Sequence, residues 1–300
     1  MIAGLALLAA GAAAGLFGSL LGLGGGILIV PMLTLGFGVP LREAVAVSLV
    51  SVIVTSSASA GVYLQRHVAN LRLGMVLELF TATGALVGGL IAFLIDERVL
   101  AGLFSALMVW VLVSMVRRRE PRTAGSSAAP AAGPEPVPAG EPGGPARSAA
   151  SAASVATGPA DPAPDPSFAA RLSGPGYRVG RFPMGIAGSL FAGLVSALLG
   201  VGGGIVKVPV MNLVMGVPLK VATATSNMMI GITATSSAVI YLLRGGIDPY
   251  LAGPTALGVF IGASVGSRIA GRINVTFLRW LFIAVLAYTA VEMALKALGR

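Results

Sequence analysis

A ten-residue glycine-rich motif occurs twice in this chain, and the sequence around it repeats with the same spacing. The first copy reads Gly22-Leu-Gly-Gly-Gly26-Ile-Leu-Ile-Val-Pro31. The second, 178 positions later, reads Gly200-Val-Gly-Gly-Gly204-Ile-Val-Lys-Val-Pro209. Other pairs at this offset are Pro40 and Pro218, Ser48 and Ser226, Thr55 and Thr233, and Arg66 and Arg244. Glycine runs break helices, and interrupted apolar segments at corresponding points of two halves are typical of a transporter's substrate site.

The composition indicates a multi-pass membrane protein. Hydrophobic residues make up 56% of the 300 residues, charged residues only 10%, and the mean hydropathy is +0.91. The apolar stretches do not alternate with polar residues, so we expect transmembrane helices and exclude barrel strands. The chain has no cysteine and one histidine, which argues against disulfides, a metal site or any bound cofactor. The net charge of +9 does not indicate nucleic-acid binding, because most basic residues lie between apolar blocks.

The chain divides into two membrane repeats joined by a linker. We assign residues 1–116 to the first repeat, residues 117–180 to the linker and residues 181–300 to the second repeat. The linker is rich in Pro, Ala, Gly and Ser and cannot bury enough apolar surface to fold, so we expect a disordered tether. Each repeat has four apolar blocks, and three of them have the ~17–25 residues of one membrane-spanning helix.

The first block of each repeat, at residues 2–38 and 183–216, decides the topology. It is too long for one span and short for two. If it enters the membrane and returns, the repeats are inverted; if it crosses once, they are parallel. The distribution of Lys and Arg favours inversion by a small margin only. We choose inversion because it explains the length of the block. The linker is then cytoplasmic and both termini face outside.

The glycine tips are the first candidate site. In a re-entrant segment their backbone amides would be exposed, and the short helix that follows would present its positive N-terminal end. Inversion would bring the two tips together at one midplane cavity that binds a small anion. The substrate-binding candidates at the tips are Gly24, Gly25, Gly26, Gly202, Gly203 and Gly204. The alternative is that these glycines only permit close packing of helices.

Lys207 follows the second tip, where the first repeat has Ile29. An ammonium within a span costs ~2.5–3.5 kcal/mol on insertion scales, so we expect it to bind an anion unless it extends to the membrane interface. Replacing Lys207 with Met should then weaken anion binding and leave folding intact. Hydroxyl and amide side chains of the next block could donate to the same anion or could pack between helices. They are Ser48, Ser51, Thr55, Ser226, Asn227 and Thr233.

Three further charged residues are candidates for coupling or gating. Glu78 lies about one turn into the third block and could carry a coupling proton, although a position so near the end of a span could also be wet. Arg66 and Arg244 end the second block of each repeat and could attract anions or anchor the helix at the interface.

The chain resembles the TauE/SafE family of sulfite-exporter-like membrane proteins. The resemblance rests on the two copies of the glycine motif, the Val-Pro-Leu after each, and the Ala/Ser/Thr-rich helix that comes next. It implies a transporter in a bacterial inner membrane that carries small sulfur-containing anions such as sulfite, sulfoacetate and related sulfonates. The long linker departs from the compact family pattern, but it lies outside the motifs in the sequence.

A secondary transporter working by alternating access is therefore the leading hypothesis. The chain has no nucleotide-binding motif, so the energy must come from gradients or from a partner. Two alternatives remain. One is a passive anion channel, and the other is a membrane enzyme or assembly protein, which the lack of a catalytic constellation disfavours. We expect a non-enzyme whose partners are a small anion and the lipid bilayer. A homodimer is left open.

Overall fold

A computed structural model of the chain describes residues 2–21, 25–65, 69–117, 172–174, 177–269 and 275–298. Within these ranges the structure is helical and has no strand. The linker prediction for residues 117–180 falls almost wholly outside the described residues, as do Gly24 and Arg66.

Each half begins with a broken helix and continues with three long ones. In the first half, α1 (Ile2–Leu21) is followed by α2 (Gly26–Pro31), α3 (Leu41–Gln65), α4 (Leu71–Leu94) and α5 (Glu97–Arg117). In the second half, α6 (Phe182–Leu199) is followed by α7 (Gly204–Pro209), α8 (Leu219–Leu243), α9 (Pro249–Ile269) and α10 (Val275–Ala297). The three long helices of each half agree with the block lengths in the sequence.

Glycines at positive φ interrupt the first block of each half. Gly25 (φ 75°) immediately precedes α2, and Gly203 (φ 72°) immediately precedes α7, so both positions favour a residue without a Cβ. Each short helix has six α-helical residues and then five π-helical ones, Met32–Gly36 and Val210–Val214. At about 1.5 Å per residue this is roughly half of the ~30 Å apolar thickness of a bilayer. The first block is therefore broken, as its length predicts.

The chain reverses direction at the second break. A Cβ on Gly203 would lie 3.3 Å from the Cβ of Ser196, near the end of α6. Further along, a Cβ on Gly188 would meet Val210, and one on Gly185 would meet Met215. Residue numbers fall along α6 as they rise beyond Gly203, so the segment after the break runs back along α6 as a helical hairpin.

The two halves are interleaved, because the first helix of each half packs on the second long helix of the other half, α6 on α4 and α1 on α9. A Cβ on Gly84 (α4) would overlap the carbonyl oxygen of Leu190 (α6), and one on Gly193 would overlap that of Thr81. Between α1 and α9, glycines likewise allow backbone contact, as at Gly15 against Val259. Small residues at these positions let apolar helices approach without a side chain between them.

The centre of the molecule is formed by α3 and α8, which pack on each other. Val47, Leu49 and Val52 of α3 have no exposed surface, nor do Ala222 and Tyr241 of α8. The outer surface is apolar, with Leu79, Leu94 and Leu243 each more than 60% exposed. Four helices of the described chain are long and apolar enough to cross a membrane: Leu71–Leu94, Glu97–Ser114, Phe182–Leu199 and Val221–Leu243. The chain is therefore an all-helical, multi-pass membrane protein.

Candidate functional site

The two glycine tips meet beside the N-terminal half of α3. The hydroxyl of Ser48 donates to the carbonyl oxygen of Gly200 (2.7 Å) and also approaches that of Gly26 (3.1 Å). A Cβ on Gly26 would lie 2.7 Å from the Gly200 oxygen, so no larger residue fits between the tips. Ser48 is fully buried. One side chain of the first repeat therefore joins both interrupted segments at the centre of the molecule.

The second tip is enclosed by apolar side chains on one side. A Cβ on Gly202 (φ 81°) would lie 2.7 Å from Ile230 and 2.9 Å from Val52, and a Cβ on Gly204 would lie 2.7 Å from Ile230. Gly25, Gly26, Gly202 and Gly203 are all buried. These four glycines are thus closed off from solvent in this conformation, whereas Gly204 is partly exposed.

Two buried hydroxyls flank the second tip without a hydrogen-bond partner in the described part of the chain. They belong to Ser196 of α6 and Ser226 of α8, and both residues are 0% exposed. The Ser226 oxygen lies 3.5 Å from the Cβ position of Gly204, and the Cβ of Ser196 lies 3.3 Å from that of Gly203. Leaving a buried hydroxyl unpaired costs ~1–3 kcal/mol, so such a pair beside one peptide needs an explanation.

Ser226 was among the residues predicted from the sequence, and Ser196 was missed. The reason is that its counterpart in the first repeat is Gly18, so the comparison of the two halves gives no signal at this position. A serine spaced seven residues before the tip glycine, on the helix that leads into the tip, is the only hint in the sequence.

A buried ion pair lies next to the second tip. The Lys207 ammonium is 2.6 Å from Oε2 of Glu78, and the two side chains are 1% and 5% exposed. The hydroxyl of Thr233 donates to Oε1 of the same carboxylate at 2.6 Å. Three helices therefore converge here, α7 with Lys207, α4 with Glu78 and α8 with Thr233. The sequence singled out all three residues but did not join Lys207 to Glu78, because 129 positions separate them.

This pairing changes two expectations from the sequence. Glu78 is buried and paired, so the wet position at the end of a span is wrong. The lysine charge is neutralised by Glu78 and does not add a net positive charge to the tip. The ion pair also has no equivalent at the first tip. The counterpart of Lys207 is Ile29 and the counterpart of Glu78 is Ala256, so only the threonine, as Thr55 and Thr233, occurs in both repeats.

The other predicted hydroxyls bond to backbone carbonyls. Ser51 donates to Val47 O, and Thr55 donates to Ser51 O and Val52 O. Asn227 lies half-buried on α8, where its carbonyl oxygen accepts a hydrogen bond from Ser56. Thr55 and Asn227 also make contacts beyond these. Substrate binding by these three residues stays a prediction.

Arg244 lies at the C-terminal end of α8. Its guanidinium carbon is 5.7 Å from the ring centroid of Phe93 on α4, and the residue is exposed. This position suits an anchor at a helix end and leaves gating a prediction. No group of three or more His, Cys, Asp or Glu side chains that could hold a metal was found among the described residues.

Residues 7–293 match the family model "Sulfite exporter TauE/SafE". The chain belongs to the TauE/SafE family. The match covers both interleaved halves and both glycine tips. The resemblance found in the sequence is therefore confirmed, and the chain is a membrane transporter of this family.

Two relatives of the chain are named as probable membrane transporters. The chain is 25% identical over 266 residues to "Probable membrane transporter protein YunE" of Bacillus subtilis (strain 168), and the match covers 86% of this chain and 85% of that protein. It is 27% identical over 109 residues to "Probable membrane transporter protein MamO" of Magnetospirillum gryphiswaldense, which covers only 17% of that protein. No solved structure matches the chain.

Proposed function

We propose that this TauE/SafE transporter is a secondary carrier of small oxyanions, sulfite or a sulfonate such as sulfoacetate, in a bacterial inner membrane. The substrate would bind beside the second glycine tip, at Ser196 and Ser226, and the chain would work by alternating access around the two tips. The observation that carries the proposal is the pair of fully buried hydroxyls beside the Gly203–Gly204 peptide, those of Ser196 and Ser226, which have no hydrogen-bond partner among the described residues. Hydroxyl donors are what an oxyanion needs when it loses its water.

The short helices themselves contribute less to this site than the sequence suggests. Each has only six α-helical residues before the π-helical part, so the dipole at its N-terminus is small. The hydroxyl groups and the close backbone carry the proposal instead. The burial of the tips supports a carrier over a channel, since an open channel needs a continuous polar path.

We also propose that the halves are inverted repeats, with the linker in the cytoplasm and both termini outside. Support comes from α5 and α10, which occupy the same place in the two halves. Gly102 of α5 lies beside Ala297 of α10. Three residues further along α5, Ser105 donates to the carbonyl oxygen of Ala290, which precedes Ala297 on α10. The two helices therefore run antiparallel. In an inverted pair of repeats, equivalent helices must run in opposite directions.

Cysteine labelling tests the inversion. The natural chain has no cysteine, so single cysteines can be introduced without background. Arg72 and Tyr250 are equivalent positions at the starts of α4 and α9, and both are exposed. We expect Arg72→Cys and Tyr250→Cys to react with an impermeant maleimide from opposite sides of the membrane. Labelling of both from the same side would contradict inversion.

Transport into proteoliposomes tests the function and the site. We expect uptake of radiolabelled sulfite or a sulfonate under an imposed proton or sodium gradient. Ser226→Ala should weaken uptake without loss of thermal stability, because its hydroxyl has no partner to lose within the described ranges of the chain. Ser48→Ala is the matched variant at the equivalent position. It should lower stability by about 1–3 kcal/mol, because two carbonyl groups lose their shared donor. Equal behaviour of the two variants would contradict the site.

A further inference from the structure

The lysine of the buried ion pair lies on the short helix that begins at the second tip. Lys207 belongs to the first turns of α7, and its amide bonds to Gly203 O at 3.0 Å. Helical side chains lean toward the N-terminus of their helix, which for α7 is the glycine tip. On α8, Thr233 lies two turns after Ser226, so both hydroxyls lie on the same face of the helix. The Ser226 hydroxyl lies near the tip, and the Thr233 hydroxyl donates to Glu78.

The pair is electrically isolated. In the described part of the chain the Glu78 carboxylate is contacted by Lys207 and Thr233. Other described charged or titratable residues on or next to the helices around the pair are Arg42, Glu43, Arg72, Asp96, Tyr177, Arg178, Arg181, Lys220, Tyr241 and Arg244. The charged ones lie at or beyond helix ends. The Tyr241 hydroxyl donates to Ala197 O, and the Tyr177 hydroxyl accepts from Nδ2 of Asn70. The net charge of the buried cluster is therefore set by Glu78 and Lys207 alone.

We propose that Glu78 and the substrate anion compete for Lys207, so that a proton bound by Glu78 accompanies each anion. This rests on the proposed function, since it assigns the coupling ion and a binding residue to the same site. In the structure Glu78 itself is the anion that occupies the lysine. An external anion entering beside an intact pair would add an uncompensated charge to a dry site, which is strongly unfavourable. Protonation of Glu78 removes that obstacle.

The exchange balances in atoms and charge. A proton from water forms an O–H bond at Oε2 of Glu78, and the carboxylate becomes a neutral acid. The Nζ–H donor then leaves Oε2 and donates to an oxygen of the substrate. With a monovalent anion the cluster has zero net charge before and after the exchange. No electrons move, and both the proton and the anion leave when the Glu78–Lys207 pair forms again.

The same exchange selects the chemical class of substrate. The anion must keep its charge under conditions in which the Glu78 carboxylate takes up a proton. Sulfonates are anions of strong acids and satisfy this condition at every pH of the experiment.

The experiment uses the purified full chain and isethionate, a monovalent sulfonate that stays anionic throughout the range from about pH 5 to about pH 8. Binding is measured by calorimetry across this range. Transport is measured in phosphatidylethanolamine/phosphatidylglycerol vesicles that contain a pH-sensitive dye. For the wild type we expect an inward isethionate gradient to acidify the lumen. We also expect affinity to fall about tenfold per pH unit above the transition, the slope of one linked proton.

The variants separate the roles of the two charges. Glu78→Gln should bind isethionate with an affinity independent of pH and should move no protons. Lys207→Gln should lose binding at every pH. Glu292→Gln is the matched control, since it removes another carboxylate from an apolar helix, and it should behave like the wild type. Retention of the pH slope in Glu78→Gln would overturn the proposal.

A further variant keeps both charged residues, so it tests the proposal even if Glu78→Gln or Lys207→Gln fails to fold. Thr233→Val removes the hydroxyl that donates to Oε1 of Glu78 and so favours the protonated acid. The pH of half-maximal isethionate binding should therefore move upward, which a purely structural role would not cause. An unchanged pH profile would overturn the proposal. If the wild type takes up isethionate or sulfite without proton movement, the coupling proposal is overturned, but the proposed transport function stands. Failure to bind or carry isethionate, sulfite and sulfoacetate would instead refute the proposed function.

Discussion

The Glu78–Lys207 pair makes a prediction about stability that is opposite to the expectation from sequence alone. With Lys207 considered as an isolated charge, Lys207→Met should be harmless to folding. The structure places the ammonium 2.6 Å from a carboxylate in a site where both side chains are at most 5% exposed. Removing the lysine therefore leaves Glu78 charged with no solvent to replace its partner, and the variant should be destabilised.

The magnitude follows from the burial. Breaking a buried pair by removing one partner costs about 3–5 kcal/mol, which is about two to three and a half powers of ten in the unfolding equilibrium. We expect Lys207→Met and Glu78→Leu each to show a loss of this size. The double variant replaces the whole pair with apolar side chains, which is commonly neutral or stabilising by ~1–4 kcal/mol. It should therefore be more stable than either single variant.

The assay is equilibrium unfolding in mixed detergent micelles, followed by the helical circular dichroism signal. The loss of unfolding free energy in Lys207→Met should also be smaller at acid pH, because protonation neutralises the unpaired carboxylate. Glu292→Gln serves as the control for loss of a membrane carboxylate and should change stability little. If the double variant loses the sum of the two single effects, the side chains are not coupled and the reasoning fails.

Three further outcomes are expected. Gly84→Ala should cost about 1–3 kcal/mol or more in detergent unfolding, since its Cβ would overlap Leu190 O. Gly253→Ala, with nothing within 4 Å of its Cβ, should instead stabilise α9, and equal effects would contradict the packing. Deletion of residues 124–164 should leave the melting temperature unchanged, so a collapse of folding would show that the linker is structural. Arg244→Ala should lower stability by only about 0.5–1 kcal/mol, as for an exposed cation–π contact, and a larger loss would argue against this account.

The sequence alone determined the features that depend on local composition and period. The length and apolarity of the blocks fixed the long helices, since each must satisfy its own backbone in a membrane. The glycine motif located both breaks, because few other residues accept the positive φ found at Gly25 and Gly203. Duplication at a constant offset identified the two repeats, and the motif itself identified the family.

The tertiary structure decided what depends on contacts between distant segments. No local pattern links Lys207 to Glu78. None shows either that Ser226 has no hydrogen-bond partner in the part of the chain that the structure describes, while the equivalent Ser48 joins both tips. The interleaving of the halves brings these residues together by packing α6 on α4 through glycine contacts. Duplicated sequence suggests equivalent sites, but burial and charge pairing are properties of neighbours in space. The physical chemistry of the two tips therefore differs even though their glycine motifs match.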